Sequence, residues 1–186
     1  MRSLAAYIHY ILALIPWWHW AMIAVLAVAA FVLARRRRTV YGAVVLGVTV
    51  FIALFLLETT VVLRCCDLLP YFPGHDFRVA LKDLFNGSKM RRSELFSNFA
   101  VFVPFGICLE ECFATAKRRF GFWRRIGWAT LIGLALSLCV ECLQWVLRVG
   151  FFELTDLVLN TLGAFAGAAL AGVGRMCWVS EQRLSK

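Results

Sequence analysis

Polar side chains recur in the stretch VECLQWVLRVGFFELTDLVLN, residues 140–160, which is otherwise apolar enough to lie in a membrane. Carboxylates, amides and a guanidinium are the groups that carry protons, bind ions or hold polar ligands, and here they are Glu141, Gln144, Arg148, Glu153, Asp156 and Asn160. A charged side chain at the centre of a membrane helix costs roughly 2.5–3.5 kcal/mol. Residues kept at such a cost indicate a functional site.

The spacing of these residues predicts two polar helix faces. Glu141, Gln144 and Arg148 follow one another at steps of three and four residues, so they share one face and Arg148 can pair with Glu141. Asp156 and Asn160 lie four residues apart on a second helix. Only a few residues separate the two sets, so the helices should be antiparallel neighbours whose polar faces meet at similar depth.

Small residues continue the second polar face. Gly163 and Gly167 form a GxxxG pair in helical register with Asp156 and Asn160. Such pairs allow another helix to approach closely in a membrane. The glycines are explained by packing alone, whereas the acid and the amide are not.

Two earlier apolar segments add polar groups at the same depth. Asn98 lies near the start of one segment, which also contains Pro104 and Gly106 as helix-loosening residues, and Glu58 lies near the end of another. We therefore expect a polar layer in one half of the membrane, open to the outside, and a largely apolar inner half.

Composition supports an integral membrane protein. Of 186 residues 62% are hydrophobic and the mean hydropathy is +0.78, against roughly 45–50% apolar residues in soluble domains. The net charge of +9 is concentrated in RRRR at 35–38 and KRRFGFWRR at 117–125, beside apolar runs. Blocks placed in this way determine topology, so we expect no nucleic-acid partner. Four of the seven cysteines, including the closely spaced Cys139 and Cys142, lie within apolar segments, where Cys packs as a small hydrophobe. We therefore expect no metal and no cofactor.

Five apolar segments are long enough to span a membrane, namely residues 17–34, 39–63, 95–114, 126–149 and 154–173. They predict an all-α, polytopic membrane protein with a small bundle of five transmembrane helices. Because the basic blocks and the C-terminal basic residues fall on one side, the positive-inside rule predicts an outside N-terminus and an inside C-terminus. The loop 64–93 and the turn at 150–153 then face outward.

Four blocks of the sequence resemble the signature of VanZ-like membrane proteins. They are DLLPYF at 67–72, SNFAVFVPFG at 97–106, VECLQ at 140–144 and TDLVLNTLGAFAG at 155–167. The order and spacing of the last three carry the resemblance, since no block is specific alone.

The resemblance divides the chain into three parts. It covers roughly residues 45–173 as a VanZ-like transmembrane domain that includes the loop 64–93. Residues 1–44, an apolar segment with the first helix and the RRRR turn, lie outside it, as does a cytoplasmic tail at 174–186.

The resemblance also implies site residues and a cellular setting. The family's polar positions correspond to Asn98, Glu141, Gln144, Asp156 and Asn160, and its packing or kink positions to Pro104, Gly106, Gly163 and Gly167. It implies a bacterial protein of the cytoplasmic (inner) membrane. The family's founding member is associated with resistance to teicoplanin, a glycopeptide that binds peptidoglycan precursors outside the membrane.

The function expected from these features is non-catalytic binding of an amphiphile among the membrane lipids. The ligand would be a lipid-linked peptidoglycan precursor or a lipoglycopeptide, with Glu141 and Asp156 as charged groups and the amides as hydrogen-bond partners. Arg148 would serve as counter-ion or phosphate contact.

Three alternatives stay open. An intramembrane enzyme would use Glu141 and Asp156 as acid and base, although His9 and His19 lie outside the motif blocks and His75 lies in the loop. A lipid transporter or flippase would need a second copy of the chain to complete a pathway, so a homo-oligomer is also open. Finally, the polar residues could simply tie helices together, at about 0.6 kcal/mol per interhelical bond.

Overall fold

The chain is all-α in the computed structural model, which describes residues 15–36, 38–62, 65, 82, 89–116 and 120–184. The helices are α1 (Trp17–Arg35), α2 (Val40–Leu57) with a π-helical turn at Glu58–Val62, α3 (Lys89–Ala114), α4 (Phe122–Val146) and α5 (Leu154–Leu184). These ranges contain no strand, which confirms the predicted fold class.

All five predicted spans are confirmed as helices long and apolar enough to cross a membrane: Trp17–Arg35, Val40–Val62, Leu95–Ala114, Phe122–Val146 and Leu154–Trp178. The fourth ends three residues before the predicted boundary. The fifth extends past it, and α5 continues through most of the predicted tail at 174–186. Most of the predicted loop 64–93 and the first 14 residues lie outside the described residues.

Successive helices run antiparallel. Along α2, Gly42 lies against Thr115 and the later Thr49 contacts the earlier Cys112 of α3, while the start of α4 meets the end of α3 where Arg125 contacts Glu110. Along α4, Ser137 contacts Asn160 and the later Glu141 contacts the earlier Glu153. The α4–α5 turn therefore lies at the same end of the bundle as the start of α1 and the π-helical turn. This end is called the outer end, as the charge distribution predicts, and the opposite end the inner end.

The most extensive contact joins the parallel helices α3 and α5. A Cβ atom on Gly163 would overlap the backbone carbonyl oxygen of Phe99, and one on Gly167 would overlap that of Val103. The GxxxG pair thus lets the α5 backbone rest directly on α3 of the same chain.

Glycines on two helices converge on Ala164 at the middle of α5. A Cβ atom on Gly106 of α3 would overlap the Ala164 backbone, and one on Gly133 of α4 would overlap the Ala164 side chain. Ala164 itself is fully buried. Helix α5 is therefore held between α3 and α4, and the bundle is tightly closed at this level.

Helix α1 packs at the edge of the bundle against α2. The indole ring of Trp20 stacks on Phe51 and Phe55, with ring centroids 6.3 and 5.6 Å apart.

Pro104 lies inside α3 on an exposed surface, and the helix continues through it.

The glycine contact predicts a sharp difference between two substitutions in α5. Gly167→Ala should destabilise the protein by about 1–3 kcal/mol, because the new methyl group meets backbone that cannot yield. Gly174→Ala is the matched control, since no atom of the described residues lies within 4 Å of its Cβ position. Thermal unfolding of both variants in detergent tests this, and equal midpoints would contradict the α3–α5 packing.

Candidate functional site

The Glu141 carboxylate lies at the N-terminal end of α5. Its side chain is buried, 2% exposed, and Oε2 accepts a hydrogen bond of 2.8 Å from the backbone N–H of Glu153. Glu153 precedes α5, and its carbonyl accepts from the N–H groups of Asp156 and Leu157. Helix N-termini favour negative charge because their backbone N–H groups lack carbonyl partners. The half-buried Asp156 places a further carboxylate in the first turn of α5.

One turn further into the membrane, Asn160 joins α5 to α4. Its Nδ2 donates to Ser137 Oγ at 2.9 Å, and both residues are buried. Asn160 Oδ1 and the buried Thr155 Oγ1 have no hydrogen-bond partner among the described residues. Leaving such an atom unpaired costs about 1–3 kcal/mol, so these two atoms mark where a ligand or water would bind.

Ser137 was missed in the sequence-based prediction, although a signal for it exists. It lies four residues before Glu141 and therefore on the same helix face. A small hydroxyl residue in an apolar helix carries little weight alone, and its role becomes visible only opposite Asn160.

The side chain of Gln144, on α4, hydrogen-bonds the end of the second span. Its Nε2 donates to the backbone carbonyl of Thr60 at 2.9 Å, inside the π-helical turn. π-Helical turns leave the regular backbone pattern and occur frequently at functional sites. Gln144 therefore connects this turn to the polar layer that contains Glu141.

The predicted pairing of Arg148 with Glu141 is wrong. Helix α4 ends at Val146, and Arg148 follows with a φ of 59° and an exposed side chain. Its N–H bonds the carbonyl of Trp145, and the N–H of the next residue bonds that of Gln144. This hydrogen-bond pattern ends helices with a left-handed residue, so Arg148 leaves the face that Glu141 occupies.

Asn98 contributes no side-chain hydrogen bond within the part of the chain that the structure describes, and it is half-buried on α3. The helix is positioned instead by its neighbours, because the carbonyl of Phe99 meets Gly163.

Glu58 lies in the outer layer as predicted, and it has a histidine partner that sequence reasoning set aside. His19 Nδ1 is hydrogen-bonded to Glu58 Oε1, and the two residues are 4% and 3% exposed. The register of the α1–α2 hairpin could have revealed the pair, since both residues lie about equally far from the turn at Arg38.

The inner half is not largely apolar, which corrects the prediction. Glu110 is fully buried, and its Oε1 accepts from Arg125 Nε at 2.8 Å. Arg175 pairs with Glu111 and lies 3.9 Å from Glu110, while the Tyr41 hydroxyl donates to Glu111 at 3.1 Å. The prediction treated the basic residues as topology signals only, but they neutralise acids at the end of α3. We call these five residues the inner network.

The described residues include no group of three or more His, Cys, Asp or Glu side chains placed to hold a metal ion.

Comparison with known proteins assigns this chain to a family. The sequence model of the VanZ/LLP1 family matches residues 44–175, about as far as the resemblance at 45–173 suggested. The chain belongs to the VanZ-like family. Protein VanZ of Enterococcus faecium is 32% identical over 80 residues, which are 43% of this chain and 45% of that protein. The match thus spans less than half of that relative's length. No solved structure matches the chain.

The VanZ-like region contains every predicted site residue and most of the inner network. Tyr41 and His19 lie outside it. The family is bacterial, and the five apolar helices make this member a multi-pass membrane protein.

The inner network predicts different effects for two adjacent arginines. Arg125→Gln should destabilise the protein by about 3–5 kcal/mol, because it leaves the buried Glu110 carboxylate short of a partner. Arg124→Gln should change little, since Arg124 is exposed. Unfolding of purified protein in detergent gives both values. Similar values for the two variants would show that the network is not stabilising.

Proposed function

We propose that this VanZ-like protein binds the polar head of a membrane amphiphile at its outer end and thereby contributes to glycopeptide resistance of the teicoplanin type. The observation that carries the proposal is two buried atoms in the first two turns of α5, Thr155 Oγ1 and Asn160 Oδ1, which have no hydrogen-bond partner among the described residues. The Glu141 carboxylate binds the backbone N–H of Glu153 just before this helix. An apolar bundle keeps such groups at a cost, and a ligand with N–H or O–H donors offsets it.

The surface around the α4–α5 turn suits an amphiphile. An open cleft of about 590 Å³ is lined by Trp145, Val146, Arg148, Gly150 and Phe151. Its exposed aromatic and aliphatic side chains would receive an acyl or prenyl chain, and the exposed Arg148 guanidinium would contact an anionic group at the rim. Arg148 thus keeps its proposed role as a phosphate contact, without the pairing to Glu141.

The ligand class that combines these features is a lipid-linked peptidoglycan precursor, which carries a chain, phosphate groups and amide donors. A lipoglycopeptide shares the chain and the donors but lacks the phosphate. The two ligand classes can therefore be distinguished by whether their binding depends on Arg148. In this proposal the protein lies in the bacterial cytoplasmic membrane with its outer end facing the cell wall.

The packing supports binding on one side more than transport across the membrane. Between the outer layer and the inner network, Gly106 and Gly133 bring α3 and α4 into direct contact with Ala164. A pathway would have to separate these backbones. The Ser137 hydroxyl is bonded to Asn160, which supports a binding layer more than a nucleophile activated by a base.

The proposed ligand contact of Asp156 predicts a resistance phenotype. In a susceptible bacterial host, Asp156→Ala should abolish any teicoplanin resistance that the wild-type chain confers, because the ligand loses a charged partner at the start of α5. Membrane levels of the variant should match those of the wild type. Full resistance in a well-expressed variant would refute the role of Asp156.

A matched pair of threonines tests binding directly. The Thr161 hydroxyl is already bonded to the carbonyl of Leu157 at 2.7 Å, whereas that of the buried Thr155 has no partner in the part of the chain that the structure describes. In lipid nanodiscs, Thr155→Ala should weaken precursor binding by about 2–12-fold, the loss of one hydrogen bond of about 0.5–1.5 kcal/mol. Thr161→Ala should leave it unchanged.

The same binding experiment in nanodiscs distinguishes the lipid-linked precursor from the lipoglycopeptide and tests the site itself. Binding of the precursor that falls in Arg148→Gln supports the lipid-linked precursor. Binding of teicoplanin alone, independent of Arg148, moves the proposal to the lipoglycopeptide. Binding of neither compound, or equal losses in both threonine variants, would contradict the site.

A further inference from the structure

The buried His19–Glu58 pair has no part in the proposed binding site, and it joins the chain's first helix to the VanZ-like region. His19 lies on α1, outside the matched residues 44–175, and Glu58 lies inside them. A carboxylate that is 3% exposed in a membrane bundle must be paired or protonated, and His19 Nδ1 is its partner.

Glu58 is also the first residue of the π-helical turn, so its position affects the backbone that follows. Within this turn, the Thr60 hydroxyl donates to the Leu56 carbonyl at 2.6 Å, and the Thr60 backbone carbonyl accepts from Gln144 Nε2 at 2.9 Å. The turn is therefore held from two sides, by His19 on α1 and by Gln144 on α4.

Gln144 links the π-helical turn to the proposed binding site. Gln144 lies one turn from Glu141 on α4, and Glu141 accepts from the N–H of Glu153 at the start of α5. A continuous set of hydrogen bonds and one-turn steps thus runs from α1 to the α4–α5 turn.

We infer that His19 is a positioning residue of the outer site. It fixes Glu58 and the π-helical turn, and this turn fixes Gln144 and the polar face of α4. The effect of His19 on ligand binding rests on the proposed function, whereas its effect on the π-helical turn does not. The histidine acts through its hydrogen bond, so a side chain that fills the same space without a donor cannot replace it.

Hydrogen exchange of the full chain in lipid nanodiscs tests the connection without any ligand. In His19→Leu, exchange of the backbone amides at 58–62 should rise about tenfold or more, because the unpaired carboxylate of Glu58 draws the turn toward water. His19→Gln supplies a donor to Glu58 and should restore slow exchange. Unchanged exchange in the leucine variant, or equal exchange in both variants, would overturn the inference.

A double-mutant comparison separates positioning from simple anchoring of α1. Gln144→Ala should also raise exchange at 58–62, and its combination with His19→Leu should add little, because both changes release the same turn. Fully additive effects would show that His19 and Gln144 act separately, which contradicts the inference.

Ligand binding is measured on the same variants with the lipid-linked precursor and with teicoplanin as separate probes. His19→Leu should weaken binding and His19→Gln should retain it. A wild-type protein that binds neither probe refutes the proposed function, while the exchange results still decide whether His19 positions the turn.

Discussion

The direct backbone contact between α3 and α5 is the constraint on which the other contacts depend. Gly163 and Gly167 remove the side chains that would separate the two helices, and Gly106 does the same from α3. With α5 held at this distance, its start lies beside Glu141 and its inner part brings Arg175 to the acids of α3. Membrane helices lack a hydrophobic drive to associate, so close packing of this kind must supply the association.

The two polar regions that this packing creates differ in chemistry. The inner network pairs two acids with two arginines, so its charges balance within the bundle. The outer layer places the carboxylates of Glu141 and Asp156 at a helix N-terminus and leaves Thr155 Oγ1 and Asn160 Oδ1 without partners in the described residues. Two buried atoms of the inner network, Glu110 Oε2 and Arg175 Nε, also lack hydrogen-bond partners among the described residues, but they lie 3.9 Å apart, so each faces an opposite charge. Ligand binding is therefore proposed for the outer layer only.

Much of this arrangement could be predicted from local patterns. Hydropathy gives the five spans, helical spacing gives the glycine pair, and the resemblance to VanZ-like proteins gives the acids and amides of α4 and α5. The prediction failed where the outcome depends on backbone turns or distant partners. Arg148 leaves its helix face because α4 ends in a left-handed residue, and Glu110 finds Arg125 only after two helices pack. His19 was set aside because it lies outside the motif blocks.

The most direct test of the central claim is an experimental density map of the wild-type chain in nanodiscs loaded with lipid-linked peptidoglycan precursor. The account predicts density for a polar head within hydrogen-bond distance of Thr155 Oγ1 and Asn160 Oδ1, with its chain in the cleft beside Trp145 and Phe151. A closed outer layer in which the same two atoms are bonded to protein groups, with the precursor absent or bound elsewhere, would contradict it.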